Sequence, residues 1–184
     1  ENLKKSLLDQ DHLHVDETGW RLDGKSAWLW SFSNNDLSFY TIDPTRAQGV
    51  VEEVLCELFA GVLCSNFYGA YHKIECEKQK CWAQILRDLH NLKEKHPKNL
   101  EIRYFASRLK DFFDRGKLLR EKCAAGKNIK NKLKLLEEEA QDFAFRRFRH
   151  PKLKNLAKRL IKYRAEMFVF IEKNLEPTNN NAER

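Results

Sequence analysis

The first part of the chain alternates apolar and polar residues in the pattern of short β-strands. Residues 12–18 alternate so that one face is mostly apolar, and Asp16 points to the other face. Asp23-Gly24 is a strong signal for a two-residue hairpin turn, and an aromatic-rich strand follows at 26–32. Turn residues then precede a third strand at 37–42, which completes a predicted three-strand meander.

A helix and a buried strand are predicted next. Asp43-Pro44 predicts a helix start, with Asp43 as N-cap and Pro44 at the first helical position. Apolar residues at helical spacing over 50–59, including Leu58, give this helix one apolar face, and Gly61 is predicted to end it. Residues 62–64 form a continuous apolar run, which is typical of a strand buried on both faces in a parallel part of a sheet.

The period of the pattern changes near residue 83. A short helix at 69–73 and a fifth strand at 78–82 precede the change, and four helical stripes of apolar residues follow it. We interpret the aromatic residues of these stripes as core. A meander followed by alternating helix and strand is the order of a ribonuclease H-like α/β fold. In such a sheet the ends of the first and fourth strands lie side by side, which brings Asp16 close to Asn66.

Composition is that of a globular protein with an uneven charge. The 184 residues carry a net charge of +7, and 42% of them are hydrophobic. Residues 1–72 hold 5 Lys/Arg and 11 Asp/Glu, a net charge of −6, so the remainder carries +13. A strongly basic half favours a polyanionic partner. The five cysteines are irregularly spaced, which fits free thiols in a reducing compartment, and we expect neither a membrane span nor a signal peptide.

The basic charge is concentrated in residues 143–164, which hold nine Lys/Arg and no Asp/Glu. Phenylalanines interleave with the first of them. A solvated helical face would explain a few such charges, and contact with nucleic-acid phosphates would explain all nine. The candidate DNA-binding residues are Arg146, Arg147, Arg149, Lys152, Lys154, Lys158, Arg159 and Lys162.

Five short motifs, taken together, resemble the transposases of the insertion sequence 66 family. They occur in that family's order and span nearly the whole chain: His-Val-Asp-Glu-Thr-Gly-Trp at 14–20, Ala-Trp-Leu-Trp at 27–30, Ser-Asn-Phe-Tyr-Gly-Ala-Tyr at 65–71, Cys-Trp-Ala at 81–83 and Asn-Asn-Asn-Ala-Glu-Arg at 179–184. The resemblance implies a ribonuclease H-like core with an Asp-Asp-Glu triad and a helical insertion. We therefore expect a core over 1–82, the insertion over 83–175 and the start of the Glu-bearing helix over 176–184.

The resemblance also implies the site residues. Asp16 and Glu183 occupy the positions of the first catalytic Asp and the catalytic Glu, and both would bind Mg²⁺. The second catalytic Asp falls on Asn66, and the histidine of a Cys-x-x-His motif falls on Gln84. An amide offers metal ions a neutral oxygen in place of a charged one, so the site loses part of its electrostatic attraction. We expect weak or absent Mg²⁺ binding and impaired catalysis; either decay of an old element or a deliberate Asp→Asn change would explain Asn66.

Two classes of function remain open at this point. One is a DNA transposase catalytic domain that cleaves and transfers strands with the help of metal ions. The other is a transposase-derived remnant that binds DNA without catalysis; a ribonuclease acting on RNA–DNA hybrids shares the fold but not the five motifs. The expected partners are transposon ends and target DNA, with a homodimer possible, and the expected location is the bacterial cytoplasm at the nucleoid.

Overall fold

A computed structural model of the chain describes residues 2–55 and 58–179. The described chain divides into two compact units. The first, called the sheet unit, contains the described residues up to Cys81 together with Thr178 and Asn179. The second, called the helical unit, is the continuous segment Trp82–Pro177.

The sheet unit is built on an open, mixed sheet of five strands. The strands are β1 (His12–Leu22), β2 (Lys25–Ser33), β3 (Ser38–Asp43), β4 (Val62–Ser65) and β5 (Glu77–Lys80), in the order β3-β2-β1-β4-β5. The first three strands pair antiparallel, whereas β4 is parallel to both β1 and β5. This arrangement confirms the predicted fold class and is consistent with a ribonuclease H-like fold.

Hydrophobic burial on one face of this sheet positions the strands. Leu13 and Val15 of β1 are fully buried there with Trp30 and Phe32 of β2. The helices α1 (Asn2–Leu8) and α2 (Gln48–Leu55) contribute further apolar side chains to the same core. All four residues of β4 are buried, as the continuous apolar run at 62–64 predicts for a central parallel strand.

Two turns explain how this core is connected. Asp23 and Gly24 both have positive φ angles, 49° and 76°, as a tight hairpin between right-twisted strands requires. Gly61 precedes β4 at a point where an added Cβ would lie 2.4 Å from the carbonyl oxygen of Gln10. Any larger residue at Gly61 would therefore push β4 away from the chain that leads into β1.

The predicted helix start at Asp43 is wrong. Asp43 is the last residue of β3, and its carboxylate accepts hydrogen bonds from the backbone N–H (2.7 Å) and hydroxyl of Thr45. The helix begins only at Gln48. Asp-Pro suits a turn after a strand as well as a helix start, because an Asp side chain binds the N–H two residues on in both. Leu58, predicted on the buried helix face, is 72% exposed.

The helical unit consists of four long helices: α3 (Trp82–Lys95), α4 (Leu100–Ala124), α5 (Lys130–Ala144) and α6 (Pro151–Glu172). Their apolar stripes meet in a core rich in aromatic rings, as interpreted from the sequence. The rings of Phe105, Phe143 and Phe148 lie with centroids 4.9–5.5 Å apart. Within the described residues, the helices are too short or too polar to cross a bilayer.

Candidate active site

The register of the sheet places Asp16 beside Asn66. Val15 of β1 pairs with Ser65 of β4, and each is followed by one of the two polar residues. The amide nitrogen of Asn66 donates a hydrogen bond to Oδ1 of Asp16 at 3.0 Å. Asn66 is only 7% exposed, whereas Asp16 is half-buried. The sequence-based expectation that these residues are neighbours therefore agrees with the geometry.

The orientation of the Asn66 amide determines what this site can bind. The oxygen of Asn66 accepts the backbone N–H of Tyr68 at 2.7 Å, so the side chain turns its NH₂ group toward β1. A divalent metal ion held jointly by Asp16 and residue 66 would need an oxygen from residue 66, and the group turned toward Asp16 is the NH₂. The residues that the structure describes contain no cluster of three or more His, Cys, Asp or Glu suited to a metal ion. They therefore do not fit Mg²⁺ as arranged here.

Glu17, the residue after Asp16, is a buried carboxylate that no sequence pattern marks as a site residue. Its side chain is 0% exposed and faces the core side of the sheet. Its Oε1 accepts hydrogen bonds from Nε and Nη2 of Arg46, and its Oε2 accepts from the hydroxyl of Tyr71. The Asn66 NH₂ group lies 3.3–3.5 Å from the two oxygens. A charged group this deeply buried is tolerated because its oxygens are paired.

Tyr71 remains a neutral donor in this cluster. Burial, followed by the charge and hydrogen bond of Glu17, raises the pKa of the Tyr71 hydroxyl far above its ordinary value. For Arg46, burial alone would lower the pKa, but the hydrogen bond and charge of Glu17 outweigh burial and raise it. Glu17, Asn66, Arg46 and Tyr71 thus form one hydrogen-bonded group next to Asp16. This group cannot be predicted from a local sequence pattern, because Glu17 and Arg46 lie 29 residues apart.

Asn179 attaches the C-terminal segment to β1. Its side-chain nitrogen donates to the carbonyl of Val15 at 2.9 Å, so its Oδ1 is the atom that accepts from His14 Nδ1, also at 2.9 Å. Its backbone N–H donates to Sγ of Cys81 at 3.1 Å. Asn179 is 2% exposed. These contacts hold the chain next to Asp16 four residues before Glu183, which lies outside the described residues together with the rest of its predicted helix.

We expect Asn179→Ala to destabilise the sheet unit by about 1–3 kcal/mol. The substitution removes the hydrogen bonds of Asn179 to the Val15 carbonyl and to His14 in a buried place. A buried hydrogen bond contributes about 0.5–1.5 kcal/mol to stability. Urea unfolding of both chains, followed by tryptophan fluorescence, measures the difference. Ser6→Ala, at a helix position that is exposed, serves as the control. Equal midpoints for Asn179→Ala and the unchanged chain would contradict this account of Asn179.

The basic run predicted to bind DNA lies on the surface of the helical unit. It follows the C-terminal end of α5, forms the connection to α6 and continues along the first half of α6. Its eight candidate residues all have solvent access: Arg146, Arg147, Arg149, Lys152, Lys154, Lys158 and Lys162 are exposed, and Arg159 is half-exposed. The buried ring of Phe148 anchors the connection to the core.

Four of these cations are brought together in one cleft. Arg146, Arg147, Lys154 and Lys158 line a cavity of about 360 Å³, together with apolar residues and without a carboxylate. Arg159, another member of the run, is arranged differently. Arg159 forms an ion pair with Asp88 at 2.9 Å, so part of its charge is compensated within the protein.

Glu101, at the start of α4, holds the connection that carries these cations. Its carboxylate accepts the backbone N–H groups of Arg149 and His150 at 2.7 and 3.0 Å. Burial alone would raise the pKa of Glu101, but these hydrogen bonds and the neighbouring positive charges lower it overall. The geometry of the basic connection is therefore fixed from both sides, by the Glu101 carboxylate and by the ring of Phe148.

Comparison with known proteins identifies the family. A family model described as Transposase IS66 family matches residues 1–184. The chain belongs to this family. No curated protein and no solved structure shows significant similarity to it.

Membership in the Transposase IS66 family confirms the resemblance drawn from the five motifs. It supports a transposase role connected with an insertion sequence and implies interaction with DNA. Transposases with an Asp-Asp-Glu triad generally use divalent metal ions. The described residues of this chain depart from that pattern at Asn66, whose amide nitrogen faces Asp16.

Proposed function

We propose that this chain is the catalytic domain of a DNA transposase whose strand-cleaving activity is impaired by Asn66. The observation that carries the proposal is the 3.0 Å contact between Asp16 and Asn66 at the ends of adjacent central strands. In a member of this family, these are the positions that the motifs assign to the first and second catalytic aspartates. Glu183 is proposed as the third residue of the site.

The proposed roles of these residues follow from their chemistry. When bound, divalent ions activate the attacking oxygen and stabilise the leaving oxygen of a phosphodiester. Asp16 supplies a charged oxygen ligand for such an ion. Asn66 supplies a hydrogen-bond donor at the corresponding place, so no metal-dependent step is assigned to the chain with Asn66. An aspartate at this position would restore a second charged ligand.

DNA is the proposed partner, and transposon ends and target DNA are the proposed substrates. The acid-free cleft formed by Arg146, Arg147, Lys154 and Lys158 supports this, because DNA binding rests largely on phosphate contacts by Lys and Arg. A protein that acts on bacterial DNA would work at the nucleoid. A homodimer is a further proposal, since strand transfer joins two DNA ends and two copies would present one site to each.

The alternative is a transposase-derived protein that binds DNA without cleaving it. The hydrogen bonds of Asn66 favour this alternative for the chain as it stands. Its NH₂ group satisfies the neighbouring carboxylates, and its oxygen satisfies the Tyr68 backbone. Both the NH₂ group and the oxygen of the Asn66 amide are therefore hydrogen-bonded within the protein, and this arrangement does not need a metal ion.

A cleavage assay with three chains tests the proposed function. Supercoiled plasmid is incubated with Mn²⁺ and the unchanged chain, Asn66→Asp, or Asn66→Asp combined with Asp16→Asn. We expect nicking by Asn66→Asp alone, at least tenfold above the other two, since only this chain places two carboxylates at the strand ends. If Asn66→Asp binds DNA but does not nick it, the non-catalytic alternative is favoured. If none of the chains binds DNA, both functions are contradicted.

A further inference from the structure

Arg46 lies at the edge of the candidate active site and is held on three sides. It belongs to the connection between β3 and α2. Its guanidinium stacks on the rings of Trp28 and Tyr68, with its central carbon 4.6 and 4.0 Å from the ring centroids. Nε and Nη2 both donate to Oε1 of Glu17, at 3.2 and 2.5 Å. Tyr68 also donates from its hydroxyl to the carbonyl of Arg46 at 2.5 Å.

These contacts use the planar surface of the guanidinium, on which the rings stack, and one of its edges. The guanidinium has five N–H donors, and the edge bound to Glu17 accounts for two of them. The side chain of Arg46 is 39% exposed, whereas the side chain of Glu17 is 0% exposed. The Glu17 end of the pair is therefore in the interior, and the arginine reaches the solvent with donors still available on its other edge.

Negative charge at the site suggests that the exposed edge of Arg46 binds a phosphate. A DNA strand that approaches Asp16 meets the half-buried Asp16 carboxylate, and its own phosphates carry negative charge as well. Arg46 brings a positive charge to this cluster through its hydrogen bonds with Glu17. A guanidinium edge matches two oxygens of a phosphate, and stacking on aromatic rings fixes its plane before binding. Little rotamer entropy remains to be lost when a phosphate binds.

We propose that Arg46 is a preorganised phosphate-binding residue that holds a backbone phosphate of the DNA strand next to Asp16. This inference rests on the proposed function, because it assumes that a DNA strand reaches Asp16. Trp28 and Tyr68 fix the plane of the guanidinium, and Glu17 fixes its rotation within that plane. Arg46 thereby acts as a positioning residue for the strand, separate from the basic run of the helical unit.

The test compares two chains in which the buried charge of Glu17 is already removed. Arg46→Gln alone would leave Glu17 buried without its partner and could unfold the sheet unit. We therefore compare Glu17→Gln with the double variant Glu17→Gln/Arg46→Gln. The probe is a fluorescein-labelled 30-base-pair duplex with a central nick, and binding is measured by anisotropy at several salt concentrations. Lys5→Gln, which removes one charge from the exposed surface of α1, is the control.

We expect the double variant to bind the nicked duplex about tenfold more weakly than Glu17→Gln at 100 mM salt. The slope of log K against log salt should fall by about 1, which is the effect of one lost phosphate contact. Lys5→Gln should leave the affinity and slope of the unchanged chain in place. Equal affinities and slopes for Glu17→Gln and the double variant would overturn the proposal.

Nuclear magnetic resonance of the unchanged chain supplies a second measurement. The Nε–H resonance of Arg46, identified by its loss in Arg46→Lys, should shift when the nicked duplex is added; an unmoved resonance would overturn the proposal. The outcomes separate this inference from the proposed function. If the double variant binds DNA more weakly than Glu17→Gln but Asn66→Asp does not nick the plasmid, the phosphate-binding role of Arg46 is supported and catalysis is contradicted. If Asn66→Asp nicks the plasmid but the double variant binds DNA as tightly as Glu17→Gln, catalysis is supported and the role of Arg46 is contradicted. A chain that binds no DNA contradicts both proposals.

Discussion

Asn66→Asp should lower the stability of the metal-free chain and make that stability depend on a divalent ion. The NH₂ group of Asn66 now donates to Asp16 and lies 3.3–3.5 Å from the oxygens of Glu17. An aspartate in its place removes this donor and sets a third carboxylate against two others. Only the hydrogen bond from the Tyr68 backbone can be kept, because it needs an oxygen alone.

The expected cost of Asn66→Asp at pH 7 without metal is about 2–4 kcal/mol, from lost hydrogen bonds to charged acceptors and from like-charge repulsion. For a chain of this size, that corresponds to a melting temperature lower by roughly 5–12 °C. Mn²⁺ at about 100 times its dissociation constant should restore about 2.7 kcal/mol. Thermal melts in a chelator and in Mn²⁺, with calorimetric titration of the ion, measure both effects.

The pH dependence of Asn66→Asp has a definite sign. The two neighbouring carboxylates should raise the pKa of the new carboxyl above its ordinary value of about 3.9. A group whose pKa is raised on folding destabilises the folded state as the pH rises from the unfolded toward the folded pKa. The stability deficit should thus be small near pH 4 and grow above it. Asn91→Asp, the same change on the exposed surface of α3, is the control; equal behaviour of the two variants would contradict the charge argument.

Neutralising the basic cleft should weaken DNA binding more than any other change considered for the helical unit. We expect Arg146→Gln, Arg147→Gln, Lys154→Gln and Lys158→Gln together to lower affinity for a 30-base-pair duplex by about 100-fold or more at 100 mM salt. The slope of log K against log salt should decrease by about 3–4, since each phosphate contact contributes about 0.9. Anisotropy titrations between 50 and 300 mM salt measure both quantities.

A matched quadruple variant controls for net charge in this experiment. Lys122→Gln, Lys127→Gln, Lys130→Gln and Lys132→Gln remove an equal number of charges from exposed positions of the same unit, between the end of α4 and the start of α5. We expect this variant to keep most of the slope, because these lysines lie apart from the cleft in sequence and outside its lining. If both quadruple variants lose affinity equally, the cleft has no special role and only total charge matters.

The sequence predicted those parts of the fold that depend on local patterns. Asp23-Gly24 could be identified because few residues adopt positive φ in consecutive positions of a tight turn. The burial of β4 followed from its apolar run at 62–64, and its parallel pairing then placed residue 66 beside residue 16. The helix start predicted at Asp43 was wrong for a local reason, because the same side chain can cap a helix or a turn.

The environment of Glu17 and Arg46 could not be predicted from sequence. Alternation placed Glu17 on the apolar face of β1, but it does not show how a carboxylate is paired there. The partner lies on a connection predicted to be helical, and its stacking on Trp28 and Tyr68 depends on the arrangement of β2 and the residues after β4. Asn179 belongs to one of the five motifs, yet its three buried hydrogen bonds join residues far apart in the chain, which a motif does not reveal.

The first and last residues of the helical unit lie next to each other in space, which affects how such a protein can evolve. The N–H of Trp82 donates to the carbonyl of Pro177 at 2.9 Å, and the N–H of Asn179 donates to Cys81 Sγ at 3.1 Å. A segment whose ends already meet can be lengthened, shortened or exchanged as a cassette, with only a small change in loop-closure entropy for the sheet that receives it. Selection could therefore alter the DNA contacts proposed for this cassette while the strands that carry Asp16 and Asn66 stay as they are.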